Sequence, residues 1–316
     1  YGLYFSRFTS LKNNFFLVDV RESHKTIDKS KEIISQLIQK GFKRTHSLIA
    51  IGGGIIQDLT CFIASILYRG VEWKFYPTTL LAQCDSCIGS KSSINVGNFK
   101  NQVGTFHPPD KVIIDVGFLE TLKHDDILSG LGEAIKVHFL DPRGRNEAIF
   151  HDYEDALHSK DALKRVIYNS LCIKKDVIEI DELDKDYRNM MNYGHTFGHA
   201  IEVVSNYTIS HGIAITMGMG VANFLSLKMG LLREKEFLKM QTLIQANTKN
   251  YKFTLRDVKE KYWVALKKDK KNVDDHIVCI LSEDIGKVKK HKIDLTEQVK
   301  SHMLEYFIRY HSGGDK

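Results

Sequence analysis

Ser47-Leu48-Ile49-Ala50-Ile51-Gly52-Gly53-Gly54-Ile55-Ile56-Gln57-Asp58 decides the fold. The apolar run 47–51 is too short for a helix and reads as a buried strand; the glycines break it, and a helical pattern follows near residues 58–68. Outward from it, 15–20 reads as an earlier buried strand, and Ile33, Ile34, Leu37 and Ile38 recur at helical spacing between the two. Further strands are expected at 73–76 and 111–115. Such alternation specifies an α/β domain, a parallel sheet with helices on both faces. From about Leu122 the pattern changes to long helices, 161–180, 188–204 and 212–228, with a short return to strand at 277–281 and near 291–293 and a closing helix at 297–310. The tail 312–316 reads as frayed. A chain of 316 residues with 43% apolar content exceeds the size at which one core stops growing. Two domains are expected, an α/β domain over 1–122 and a mainly α-helical one over 123–316.

No apolar stretch approaches the roughly 20 residues of a membrane span. The opening Tyr1-Gly2-Leu3-Tyr4-Phe5 lacks the basic start and long apolar run of a signal peptide, so a soluble cytoplasmic protein is expected. The five cysteines, Cys61, Cys84, Cys87, Cys172 and Cys279, include one close pair and no second pair to complete a four-thiolate zinc site, which points to reduced, mostly buried thiols. Net charge is +6, but acidic residues are interleaved nearly everywhere, so the balance suits anionic small molecules and gives no sign of nucleic acid.

Glycines between strand and helix let backbone amides approach a pyrophosphate at a helix N-terminus. The spacing is not GxGxxG, and such turns are often merely structural. Pro77-Thr78-Thr79-Leu80 adds a second strand-end turn at the same carboxyl edge of the sheet. Next, Asp85, Lys91, Asn95, Lys100 and Asn101 lie among small residues, a composition suited to phosphate and hydroxyl recognition or simply to a solvated loop. Gly194-His195-Thr196-Phe197-Gly198-His199 places two imidazoles four apart on one helix face, and His211-Gly212 opens another helix. Glu133, in Gly130-Leu131-Gly132-Glu133-Ala134-Ile135-Lys136, is an acid among apolar residues. A lone histidine pair is usually structural; three histidines with a carboxylate point to a metal site. Lys174, Arg188, Asn192 and the late cluster Asp269-Lys270-Lys271 add cations and an amide for an anionic ligand.

Taken in order, Gly52-Gly53-Gly54 through Asp58, Tyr68-Arg69-Gly70, 77–83, 85–91, Lys100-Asn101, 132–136, 192–199 and His211-Gly212 resemble the 3-dehydroquinate synthase and sugar-phosphate cyclase family. The resemblance implies a divalent metal, normally Zn2+ with Co2+ as an alternative, held by Glu133, His195 and His211, while His199 faces substrate phosphate. It implies NAD contacts at Gly54, Ile55, Ile56, Gln57, Asp58, Thr78, Thr79, Lys91, Lys100, Phe118, Leu119, Glu120 and Thr121. Substrate, an anionic sugar phosphate, would be held by Asp85, Lys136, Lys174, Arg188, Asn101, Asn192, Lys270 and Lys271, with Arg69 reaching into the site of a homodimer partner. The implied reaction is transient oxidation by NAD, phosphate elimination, re-reduction and aldol closure. The chain departs from the family pattern in showing Ile27-Asp28-Lys29-Ser30-Lys31 where a Gly-Glu-x-x-Lys stretch near the nucleotide is expected. Gln57 stands for a glycine, Gly89-Ser90-Lys91-Ser92 for Gly-Gly-Lys-Thr, and Asp184 for a glutamate. Arg188 and Lys174 suit the carboxylate of 3-deoxy-arabino-heptulosonate 7-phosphate. The alternatives are a cyclase of another substrate, such as the 2-deoxy-scyllo-inosose type, and a metal-dependent NAD alcohol dehydrogenase of the same fold.

Overall fold

A computed structural model describes residues 15–97, 99–267 and 276–311. Two compact units emerge: residues up to Tyr76 with Ser90–Ile113, and Pro77–Gly89 with Ile114 onward.

In the first unit, α1 (Ile27–Gln39) starts where the Thr26 side chain accepts a hydrogen bond from the Lys29 amide. It is followed by β1 (Leu48–Gly52), α2 (Gly54–Ile66), β2 (Trp73–Pro77), the antiparallel pair β3 (Ile94–Val96) and β4 (Phe99–Val103), and β5 (Lys111–Val112). The main sheet runs β1-β2-β5, with β2 and β5 parallel. Helix α2 begins at Gly54, earlier than the spacing around residue 58 suggests, so its N-terminus coincides with the glycine turn. Residues 15–20 form no strand and pair with none among the described residues; Leu17 and Val20 are 64% and 54% exposed. The strand expected at 111–115 stops at Val112, because Asp115 accepts from the Gly117 amide and starts a 3-10 turn, Val116–Thr121.

The second unit is helical: α3 (His124–Phe139), α4 (Asn146–Ala156), α5 (Lys160–Ile180), a 3-10 turn (Tyr187–Asn192), α6 (His195–Val204), α7 (His211–Lys228), α8 (Glu234–Thr248) and α9 (Leu255–Lys267). The hairpin β6 (His276–Asp284) and β7 (Lys287–Asp294) and then α10 (Glu297–Tyr310) close it. The helix expected over 188–204 is broken at Gly194, whose φ of +78° is left-handed and therefore suits glycine. That break puts His195 at the first position of α6.

Helix α7 is apolar almost all round and buried almost throughout, as a central helix must be. Helix α3 crosses it at contact distance: a Cβ on Gly132 would lie 2.3 Å from the Gly212 carbonyl, and one on Gly212 only 1.8 Å from the Ser129 carbonyl. The Gly212 amide donates to Ser129 Oγ at 3.0 Å. This crossing brings Glu133 of α3 beside His211 of α7.

Helix α3 also buries His138 completely. Its Nδ1 lies 2.8 Å from the Ala134 carbonyl, and Nε2 meets no partner among the described residues. Burial pushes its pKa down from 6.5 to about 4. The unfolded chain therefore takes up this proton first, so the associated stability is present above pH 6.5 and drains away as pH falls toward 4. The loss is of the order of 3 kcal/mol. Urea unfolding at neutral pH and near the lower value is expected to show a smaller acid-induced loss in His138→Gln than in the parent; equal losses refute the assignment.

Candidate active site

Five side chains of the second unit form a chain of alternating charge. Lys174 Nζ lies 2.6 Å from Asp85 Oδ1, and Lys136 Nζ lies 2.9 Å from Asp85 Oδ2. The same Lys136 ammonium donates to Glu133 Oε2 at 2.5 Å, and Glu133 Oε1 faces His211 Nε2 at 3.6 Å. Asp85 sits on a π-helical turn, Ala82–Ser86, Lys174 on α5, and the other partners on α3 and α7. Asp85, Glu133, Lys136 and Lys174 are all buried, so each charge depends on its neighbours. Desolvation would raise the Asp85 carboxyl, but Lys136 and Lys174 outweigh it and hold it well below the usual range. Burial, with Asp85 close by, raises Glu133. Burial also works against the Lys136 charge; Asp85 and Glu133 override it and raise the pKa, so the ammonium stays protonated.

Around Glu133 the donors are arranged for a cation. Glu133, His195 and His211 each offer a ligand atom, all within 4.8 Å of one another. Among the described residues Glu133 Oε1 is buried without a hydrogen-bond partner, a cost that a bound cation would remove. His195 Nδ1 lies 3.1 Å from the Tyr193 carbonyl, which leaves Nε2 as the ligand atom. Desolvation, then Lys136 and the neighbouring histidines, hold the His195 pKa well below its ordinary value, so the ring is neutral as a ligand must be. The residues present thus fit a divalent metal. A second group, His199, Glu202 and His211, also meets the same spacing. His199 is exposed on α6, its ring 5.2 Å from that of His195.

Arg188 is buried, donates to the Glu182 carbonyl at 2.6 Å, and passes over Gly89, where a Cβ would lie 2.5 Å from Nη2. Asn192 Nδ2 donates to the Asn189 carbonyl. Thr79 Oγ1 accepts from the Ala82 amide, and Thr78 is half-buried beside it. Phe118 and Leu119 turn into the core while Glu120 pairs with Lys160 on the surface.

In the first unit, Gly54, Ile55, Ile56, Gln57 and Asp58 form the opening turn of α2, with the Gln57 amide donating to the Gly53 carbonyl. Asp58 accepts from the Ser93 amide at 3.0 Å and from Lys25 Nζ at 3.0 Å. Burial raises its pKa, with Lys25 opposing. Lys25 also donates to Asn101 Oδ1 at 2.7 Å, so Asn101 and Asp58 share one ammonium. Lys91, Lys100 and Arg69 are exposed, Arg69 in a left-handed turn with Tyr68. Lys270 and Lys271 lie outside the described residues.

Two groupings escape the sequence reading. The Glu-x-x-Lys spacing found missing at 27–31 is present as Glu22-Ser23-His24-Lys25, just before α1: Glu22 Oε1 accepts from Asn95 Nδ2 at 2.8 Å, and Lys25 reaches Asp58. The arginine at 21 in place of glycine hides it. Glu202, three residues after His199 on the same helix, lies against His211, and its spacing was the available signal.

The sequence matches the family described as "3-dehydroquinate synthase N-terminal" over residues 15–129 and "3-dehydroquinate synthase C-terminal" over residues 130–272. The 3-dehydroquinate synthase of Helicobacter pylori is 35% identical over 281 residues, 89% of this chain and 80% of that protein. That of Dictyoglomus thermophilum is 37% identical over 297 residues, 92% and 81% of the two chains. A solved structure of 2-deoxy-scyllo-inosose synthase complexed with carbaglucose-6-phosphate, NAD+ and Co2+ superposes with a TM-score of 0.83 at 25% identity, over 91% of this chain and 81% of that one. With both halves of the family matched in order and relatives of that name aligned along most of its length, the chain belongs to the 3-dehydroquinate synthase family.

Proposed function

We propose that the chain is a 3-dehydroquinate synthase, a phosphate-eliminating lyase that closes a heptulosonate 7-phosphate into a carbocycle. The observation that carries the reading is the buried Glu133 Oε1, which among the described residues makes no hydrogen bond, grouped with two histidines and continued by Lys136, Asp85 and Lys174. NAD and Zn2+ or Co2+, when bound, supply a hydride acceptor and Lewis acidity toward vicinal hydroxyls, so that oxidation and reduction cancel within one turnover.

The chain's own groups divide the remaining work. Glu133, His195 and His211 hold the metal. Lys136, kept protonated, presents Nζ as a donor to substrate oxygens, and Asp85 holds both Lys136 and Lys174 in place. Lys174 and Arg188 take the substrate carboxylate, Asn192 and Asn101 its hydroxyls, and His199 with Lys270 and Lys271 its phosphate. NAD is assigned to residues 54–58, Thr78, Thr79, Lys91, Lys100 and 118–121; at 118–119 only backbone is on offer, since both side chains are buried. A division of labour near residue 122, a homodimer with Arg69 near the partner's site and a cytoplasmic location belong to the same proposal. Among the described residues no helix is long and apolar enough to cross a membrane.

The test supplies purified protein with NAD, Zn2+ or Co2+ and, separately, 3-deoxy-arabino-heptulosonate 7-phosphate, glucose 6-phosphate and sedoheptulose 7-phosphate, following inorganic phosphate and NADH absorbance together. Phosphate release from the heptulosonate without NADH build-up is expected. Steady NADH production would make the chain a dehydrogenase, and phosphate release from another sugar alone would move it to another cyclase class.

A further inference from the structure

We propose that Glu202 is a positioning residue for His211: its carboxylate accepts from the ring Nδ1–H and so commits Nε2 to the metal. The inference rests on the reading of Glu133, His195 and His211 as ligands. His211 Nδ1 lies 3.2 Å from Glu202 Oε2, while Nε2, across the ring, lies 3.6 Å from Glu133 Oε1. A neutral imidazole carries one proton, and the nitrogen facing a carboxylate keeps it. The other nitrogen then points its lone pair toward Glu133. His195 is oriented in the same sense by a carbonyl, that of Tyr193, so the two imidazoles differ in what stands behind them. A carboxylate behind His211 makes that ring the more basic ligand and adds a negative charge close to the cation. Helix α6 thus contributes twice, with His195 as a ligand at its start and Glu202 as the support of another ligand two turns on.

The same residues admit a rival arrangement in which His199, Glu202 and His211 themselves hold an ion. It needs Nδ1 of His211 deprotonated and Glu202 as a ligand, so Glu202→Ala would then change the Co2+ ligand set and its bands, which a positioning role leaves in place.

The experiment uses the full chain, stripped with chelator and reloaded with Co2+, and reads affinity by chelator competition, ions per chain, and the visible Co2+ spectrum. One ion per chain is expected in the parent, in Glu202→Ala and in Glu202→Gln. Affinity should fall about 10- to 100-fold in Glu202→Ala, with the ligand-field bands retained. Glu202→Gln, nearly isosteric and still able to accept from Nδ1–H, should fall between parent and Ala, and it serves if the Ala variant fails to fold. Parent-like affinity in either variant overturns the inference, as does a second ion per chain that disappears with Glu202. His195→Ala is the control: if it keeps tight binding, the ligand reading itself fails. If it loses the metal while the Glu202 variants do not, only the role of Glu202 falls.

Discussion

His195→Ala is expected to lose tight metal binding and turnover together, whereas His199→Ala should retain the metal and lose turnover. His195 is held neutral by burial and by Lys136, and its Nδ1 is spent on the Tyr193 carbonyl, so truncation deletes one of three convergent donors. Its loss should exceed the roughly 10–100-fold that removing a ligand's hydrogen-bond partner costs. His199 lies exposed one turn along α6, where a cationic or donor ring can meet a phosphate without touching the cation. Metal content after gel filtration, measured beside phosphate release, separates the two variants. Equal metal loss in both would make His199 a ligand and favour the group it forms with Glu202 and His211.

Lys136→Met should be the most damaging single change to the fold of the site. The substitution keeps an unbranched side chain one atom shorter and removes the cation between Asp85 and Glu133, leaving two buried carboxylates with Lys174 on the far side of only one of them. Breaking a buried ion pair by deleting one partner costs about 3–5 kcal/mol. The deficit has a sign in pH. Glu133 already has a raised pKa from burial and from Asp85, and without Lys136 it rises further, so protonation relieves the repulsion and the deficit relative to the parent should shrink as pH falls. Urea unfolding of both proteins at pH near 7.5 and near 5 measures this; a deficit that does not change with pH would show that lost packing, not uncompensated charge, is responsible.

Local pattern made much of the frame legible. The strand and turn of 47–58, the amphipathic helices and α10 follow from periodicity and punctuation inside windows of a dozen residues. Residues 15–20 carry the same apolar signal but pair with no strand among the described residues, and pattern cannot report whether a partner exists. The metal group was visible as residue types; only the family resemblance separated His199 from His195. The pairings of the charge chain were not visible. Lys136 and Asp85 lie 51 positions apart and Lys174 and Asp85 lie 89 apart, and contacts across such distances leave no trace in spacing. The same limit hid Lys25, which reads as one more surface lysine until Asp58 and Asn101 are brought to it.

The crossing of α3 and α7 at Gly132 and Gly212 has a consequence for how the protein acquires its ion. The main chains touch there, and the Gly212 amide is tied to Ser129, so the spacing of Glu133 and His211 is dictated by polypeptide contact and does not wait for a cation to draw the helices together. On the proposed ligand set, a cation would find these two ligands already spaced. If the proposed ligands hold the ion, such a receptacle can be emptied and refilled in the folded protein, so its occupant would follow the supply of metals around it.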